Sequence, residues 1–418
     1  MRVLWIAQNG GLYKNTDIKG TGGWIGALQS ELLKNMPSLE LGIVFPHKTD
    51  CDIIREGKIT YIPFSTGESN NRILRGLSRL FQKPDRIEKR YLDSILSAIS
   101  FYSPDIIHMW GLEQIHAVSL PHIDKPCIVH IQGLASLYRY TYCTPFFGEH
   151  DLKRCDYLLE RVLLRHGQWA NYKEFILRAE RELRYAPYVR NWIGRTDWDY
   201  QASQLLSPGS NYYHCEEVMR SDFNQESTWA FHYKDTLNIQ SNISDDWYKG
   251  IDLILKTAKL LKEKNFKFQW NIYGIEKTSK KVTYISKRLR VTPVSVNVEF
   301  HGRVNGKTIR EQLLNSDVYV HPSFIENSSN AIAEAMMMGV PTIAQYVGGN
   351  PSMLRDDSGL LVAPNEPYML AFSLMRMCDR KVAEGYSRRS IELAKRRQDT
   401  LQTVNTLIEI YEKVISSI

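Results

Sequence analysis

Two glutamates eight residues apart, Glu326 and Glu334, frame the stretch of this sequence best suited to chemistry. Between them stand Asn327, Ser328, Ser329 and Asn330, and Ser and Asn are favoured helix N-caps. The pattern predicts a loop carrying Glu326, a helix start at 328–330 and Glu334 inside the helix. A helix start aims free N–H groups and the positive end of its dipole outward, which suits an anion such as a pyrophosphate. At a rise of about 1.5 Å per residue the two carboxylates are about 12 Å apart. That is comparable to the span of a nucleoside diphosphate sugar. One carboxylate then accepts hydrogen bonds from sugar hydroxyls and the other from a ribose diol, with the phosphates between them. Two glutamates at this spacing on their own are more often a solvated helix face. The capped loop and the glycines that follow favour the functional reading.

These residues need elements to position them. Short apolar runs alternate with amphipathic stretches along most of the chain. Arg2–Ala7, Leu41–Phe45, Ile59–Pro63, Asp105–Met109, Cys127–Ile131 and Asn191–Gly194 read as strands, with a helix at Trp24–Leu33. The alternation restarts after about residue 225, with strands at Thr236–Gln240, Phe268–Tyr273, Val296–Phe300, Val318–Val320 and Thr342–Ala344 and a helix at Ile251–Lys264. This predicts an α/β protein of two doubly wound parallel sheets, with ligands at the carboxyl ends of strands and in the cleft between domains. The expected domains are 1–225, with a helical insertion at about 151–186, then 226–398. A last helical segment, 399–418, is expected to return to the first domain.

Bulk properties agree. A chain of 418 residues is long for one core, and two domains are the natural expectation. The balance of 53 Lys and Arg against 46 Asp and Glu leaves a net charge of +7, which permits an anionic partner. No apolar run is long enough to predict a membrane-spanning helix. The N-terminal MRVLWIAQNGG reads as a first strand and not as a secretory signal. The six cysteines show neither paired nor metal-ligand spacing and suit a reducing cytoplasm. Nucleic-acid binding has no motif behind it.

The motif run resembles a known family. Glu326 and Glu334 are followed by Glu334-Ala335-Met336, Gly339-Val340-Pro341, Ile343-Ala344, Val347-Gly348-Gly349 and Pro351. This is similar to glycosyltransferase family 4, the retaining group 1 enzymes of GT-B fold. Tyr248-Lys249-Gly250, Phe300-His301-Gly302-Arg303-Val304 and Gly359-Leu360-Leu361-Val362 resemble further motifs of that family, and Gly22-Gly23 resembles its donor-side glycine loop. The resemblance implies a metal-independent hexosyltransferase with no cofactor beyond its co-substrate, a UDP- or GDP-sugar. Its acceptor would be a glycan or lipid-linked glycan in bacterial surface polysaccharide synthesis. It further implies Glu326 and Lys249 as the catalytic pair. The donor would be held by Gly22, Gly23, Lys249, Arg303, Asn327, Ser328, Ser329, Asn330 and Glu334. Gln132 and His108 would stand on the acceptor side. A nucleotide-sugar epimerase of the same fold and a non-catalytic partner subunit are the alternatives.

The sequence also departs from the family. No arginine stands a few residues before Lys249, where members often carry one, and Arg303 is the candidate replacement. Gln132 occupies the place of a family histidine and cannot act as a base. The mechanism implied by the resemblance needs no protein base, because the leaving phosphate oxygen deprotonates the acceptor. Asp197-Trp198-Asp199 has a metal-binding spacing, but a helix start with local hydrogen bonds is the expected role. Arg72–Phe81 reads as a basic amphipathic helix. It suits an anionic membrane surface, and it suits equally an ordinary core-facing helix.

Overall fold

The computed structural model describes residues 1–15, 23–48, 51–66, 84–157, 167–223 and 228–417. Gly22, the Arg72–Phe81 segment and part of the expected insertion lie outside them. The chain divides into two compact units. The first comprises Met1–Arg139, Asp156–Val218 and Thr400–Ile418, the second Tyr140–Cys155 and Met219–Asp399. The division therefore falls before Met219 and not at 225. Met219 and Phe223 are already buried in the core of the second unit beside Ile332 and Met336. Part of the expected insertion also joins that unit, where Asp151 accepts the Tyr284 hydroxyl at 2.7 Å and pairs with Arg288 at 3.3 Å.

The first unit contains an eight-stranded sheet. Its strands are β1 (Arg2–Ile6), β2 (Glu40–His47), β3 (Ile54–Glu56), β4 (Ile59–Ser65), β5 (Ile106–Trp110), β6 (Cys127–His130), β7 (Asn191–Gly194) and β8 (Asn211–His214). Their order is β3-β4-β2-β1-β5-β6-β7-β8, and only the β3–β4 pair is antiparallel. Helices cover a parallel sheet on both faces, so its strands are apolar throughout. Accordingly all of β5 is buried and β1 is buried from Val3 onward. The helix Thr400–Ser416 belongs to this unit. Its Tyr411 is fully buried, and the Tyr411 hydroxyl accepts the Trp5 indole N–H at 3.2 Å.

The second unit contains six parallel strands: β9 (Leu237–Asn242), β10 (Phe268–Tyr273), β11 (Val298–Phe300), β12 (Val318–His321), β13 (Thr342–Gln345) and β14 (Leu360–Val362). Leu360–Val362, part of the Gly359-Leu360-Leu361-Val362 motif, pairs with β13 as the last strand. The order is β11-β10-β9-β12-β13-β14. Successive strands are added outward from β9 to one side, and the chain then returns to continue on the other side from β12. The switch lies between β9 and β12, and in such sheets ligands bind beyond the carboxyl ends of the strands at that point. Lys249 follows β9 and Glu326 follows β12.

Candidate functional site

Glu326 stands in the loop between β12 and the helix Asn330–Met338, buried to 9% exposure. Its Oε2 accepts hydrogen bonds from Lys249 Nζ at 2.6 Å and from His321 Nε2 at 2.9 Å. Oε1 has no hydrogen-bond partner among the described residues. Burial pushes this carboxyl pKa up, but the Lys249 ammonium and His321 outweigh burial and bring it down to about 2. Glu326 is therefore ionised across the neutral range and holds no proton to give.

The loop is fixed by its backbone. Gly348 has φ +50°, and a Cβ there would collide with the Glu326 carbonyl oxygen. Gly349 N–H donates to that same oxygen at 2.9 Å. Gly250 caps the helix Ile251–Glu263 at φ +77°, and a Cβ there would collide with the Pro322 carbonyl. Both glycines let two loops touch backbone to backbone. Phe324 N–H donates to the Tyr248 carbonyl at 2.7 Å, which ties the Lys249 loop to the Glu326 loop. Behind the first of these loops, Lys281 is buried and donates to the Asp245 carbonyl. It also pairs with the Asp245 carboxylate at 3.3 Å and stands over the buried Trp247 ring.

Ser329 is the N-cap of the helix Asn330–Met338 and accepts from Ile332 N–H. Asn327, Ser328 and Ser329 are buried, and the Ser328 hydroxyl is buried with no hydrogen-bond partner among the described residues. An unpaired buried hydroxyl is costly, so a ligand atom accepting or donating there is chemically favoured. One turn into the helix, Glu334 is 5% exposed. Its Oε1 takes both Arg220 Nε, at 3.0 Å, and Arg220 Nη2. Its Oε2 has no hydrogen-bond partner among the described residues. Burial pushes the Glu334 carboxyl above the usual carboxylate range, and Arg220 works against that push. The two glutamates thus share one arrangement. Each has one oxygen pinned by cationic or imidazole donors and one oxygen open, and a helix N-terminus lies between them.

His321 and Arg220 were not anticipated. His321 directly follows the expected strand Val318–Val320, and its place at the end of a buried strand was a usable signal. Arg220 carries no local signal, because its partner is 114 residues away. Arg303, expected to stand in for the missing arginine, is exposed. Its backbone N–H donates to Glu276 at 3.3 Å. It makes no contact with Lys249, Glu326 or Glu334 among the described residues.

In the first unit, Gly23 opens the helix Gly23–Asn35. Gln132 follows β6, half-buried, and its Nε2 is buried with no hydrogen-bond partner among the described residues. His108, the other residue expected on the acceptor side, lies on β5. It is fully buried in mid-strand, where it bonds the Tyr411 hydroxyl through Nδ1 at 2.6 Å and His130 Nδ1 through Nε2 at 3.2 Å. It stacks on Trp110. Asp197-Trp198-Asp199 is a helix start. Asp199 accepts the N–H groups of Arg195 and Thr196 at 2.9 and 3.0 Å and forms a capping box with Thr196. Among the described residues no group of three or more His, Cys, Asp or Glu could hold a metal ion.

The buried histidines predict a pH dependence. Burial brings His108 down to about 3 and His116 to about 4, and burial together with His108 and Arg195 takes His130 well below its ordinary value. The unfolded chain takes up these protons near pH 6.5 and the folded chain only well below it. Stability is therefore intact above about 6.5 and is lost as pH falls toward the folded values. The melting temperature should drop between about pH 7.5 and about pH 5, and His108→Asn should flatten that drop. An unchanged slope in the variant would contradict the buried neutral state of His108.

Residues 236–380 match the family described as glycosyl transferases group 1. That match covers about a third of the chain. It contains every part of the two-carboxylate arrangement except Arg220. Relatives match over short stretches. Protein CapJ of Staphylococcus aureus is 34% identical over 104 residues, which is 25% of this chain and 26% of CapJ. The putative colanic acid biosynthesis glycosyltransferase WcaL of Escherichia coli (strain K12) is 27% identical over 130 residues, 29% of this chain and 31% of WcaL. The chain therefore matches these relatives over less than a third of their own length in the CapJ and WcaL alignments. Among solved structures, HepE of Anabaena, in complex with UDP and glucose, superposes with a TM-score of 0.62 at 14% identity, covering 99% of each chain. At that identity the likeness carries the fold, which is GT-B with two Rossmann-like units.

Proposed function

We propose that this group 1 protein is a retaining glycosyltransferase. It moves a hexosyl unit from a UDP- or GDP-sugar to a hydroxyl of a glycan or lipid-linked glycan, in the synthesis of a bacterial surface polysaccharide. The observation that carries this reading is the pair of half-pinned carboxylates on either side of the Asn330–Met338 helix start. Glu326 Oε1 accepts from sugar hydroxyls and Glu334 Oε2 from the ribose diol. Backbone N–H groups at 327–330 meet the diphosphate, and Lys249 neutralises charge gathering on the leaving phosphate. Lys249 and His321 hold Glu326 at a low pKa and so make it a weak base, and in this reading the acceptor proton goes to the leaving phosphate oxygen on the same face of the sugar, with retention of configuration. Gly23 and Gln132 stand on the first unit, Gln132 toward the acceptor. Lys249 and the helix N-terminus supply the positive charge, so the proposal needs no metal ion.

The likeness to WcaL, a putative colanic acid biosynthesis glycosyltransferase, supports the polysaccharide assignment. The UDP and glucose in HepE support a nucleotide sugar donor. We place the protein in the cytoplasm at the inner face of the cell membrane, where a lipid-linked acceptor would be met. Among the described residues no helix is long and apolar enough to cross a membrane.

The test is a product assay with UDP- and GDP-sugars and a lipid-linked glycan acceptor. The expected product carries the donor sugar in its original anomeric configuration. An inverted linkage would contradict retention. An isomerised sugar nucleotide formed without acceptor would make the protein an epimerase instead.

A further inference from the structure

Arg220 comes from outside the matched residues 236–380, yet it reaches the carboxylate at the centre of the site. It lies in the segment Met219–Phe223, at the entry to the second unit. Met219 and Phe223 anchor that segment in the core formed with Ile332, Ala333 and Met336, and Arg220 stacks over the Phe223 ring at 5.2 Å. Gly306 lies close by, where a Cβ would collide with Asp222 and stand 3.3 Å from Arg220 Nη1. The guanidinium is thus held between an aromatic ring, a glycine and Glu334.

We propose that Arg220 is a positioning residue for the nucleotide: by binding only Oε1 of Glu334 it holds the carboxylate in place and presents Oε2 to the ribose diol. The inference rests on the reading of Glu334 as the ribose acceptor given above. The geometry is specific. Both guanidinium donors converge on one oxygen and leave the other with no partner among the described residues. A carboxylate has about four acceptor directions, so one free oxygen is enough for two hydroxyls. Charge points the same way. Glu334 is buried and has Asp222 nearby, and both favour its neutral form, while Arg220 is the cation that opposes them. A neutral acid is a weaker acceptor for a diol than a carboxylate. The arginine expected a few residues before Lys249 is absent, but Arg220 does not replace it. It acts on the nucleoside end of the donor, not on the phosphates.

The experiment compares binding of UDP and GDP with that of their 2′-deoxy counterparts, by calorimetry between about pH 5.5 and 8.5. The proteins are wild type, Arg220→Met and Arg220→Lys. Wild type should prefer the ribonucleotide of one base. Arg220→Met should lose about tenfold or more in affinity for that ribonucleotide and change little toward the deoxy form. Its ribonucleotide affinity should also weaken at a higher pH than in wild type, because Glu334 protonates more readily. Arg220→Lys should recover part of the preference. If Arg220→Met keeps the wild-type preference and pH profile, or weakens both nucleotides equally, the inference is overturned while the proposed function stands. If wild type itself shows no preference for ribose, the reading of Glu334 falls and the inference falls with it.

Discussion

Glutamine in place of Glu326 is expected to lower the rate of sugar transfer by about 10²- to 10³-fold, the loss seen when one preorganised electrostatic partner is removed. The substitution keeps the size of the side chain and removes its charge. Two donors converge on Glu326 Oε2, Lys249 at 2.6 Å and His321 at 2.9 Å. An amide accepts through one oxygen only, so the variant must either turn its oxygen to these donors or leave them unpaired. In the first case an NH₂ group, which cannot accept from a hydroxyl, faces the sugar; in the second the NH₂ group is set against the Lys249 and His321 donors, and in both the carboxylate charge is lost. Binding of the nucleotide diphosphate alone should change by less than about threefold, because that moiety lies toward Glu334. Steady-state kinetics with the preferred donor and calorimetry with the diphosphate would check the two halves. A variant with a wild-type rate would remove Glu326 from the site.

Alanine at Gly348 should be nearly as damaging through the backbone alone. A non-glycine residue at φ +50° costs about 1 kcal/mol or more. Here the added Cβ also collides with the Glu326 carbonyl oxygen. Backbone cannot swing aside as a long side chain can, so the Glu326 loop must move. A loss of about 2–4 kcal/mol of stability is expected, with at least a hundredfold loss of transfer, since small misplacements of a positioned group are costly. Gly57 is the control. It has φ +59° with open space around the Cβ position, so Gly57→Ala should cost only about 1 kcal/mol and leave activity intact. Thermal unfolding and transfer assays on both variants would settle the contrast, and equal behaviour of the two would contradict it.

Much of the fold was readable from the chain. Buried parallel strands are apolar along their length, so Phe268–Tyr273 and Asn191–Gly194 stand where their composition predicts. The two edge strands of the first sheet were not readable. Ile54–Glu56 is three residues with two charges at the sheet edge, and Asn211–His214 is polar and aromatic. Within the site, the local parts were legible. Ser329 caps the helix and Glu334 follows inside it because both facts depend on neighbours in sequence. The long-range pairings were not. Lys249 meets Glu326 across 77 residues and Arg220 meets Glu334 across 114, and no periodicity encodes such a meeting. The partners of His108 were equally illegible, since they too come from distant parts of the chain. Tyr411, from the far end of the chain, supplies the polar partner that makes burial tolerable.

The central claim is that Glu326 and Glu334 hold opposite ends of one nucleotide sugar. The most direct measurement is calorimetric binding of the preferred nucleotide sugar and of its bare nucleotide diphosphate to wild type, Glu326→Gln and Glu334→Ala. The account predicts that Glu334→Ala weakens both ligands by the same factor, about tenfold or more. Glu326→Gln should weaken only the sugar-bearing ligand and erase the advantage it has over the bare diphosphate. If either variant binds both ligands as wild type does, or if the two effects are exchanged, the two carboxylates do not divide the donor between them.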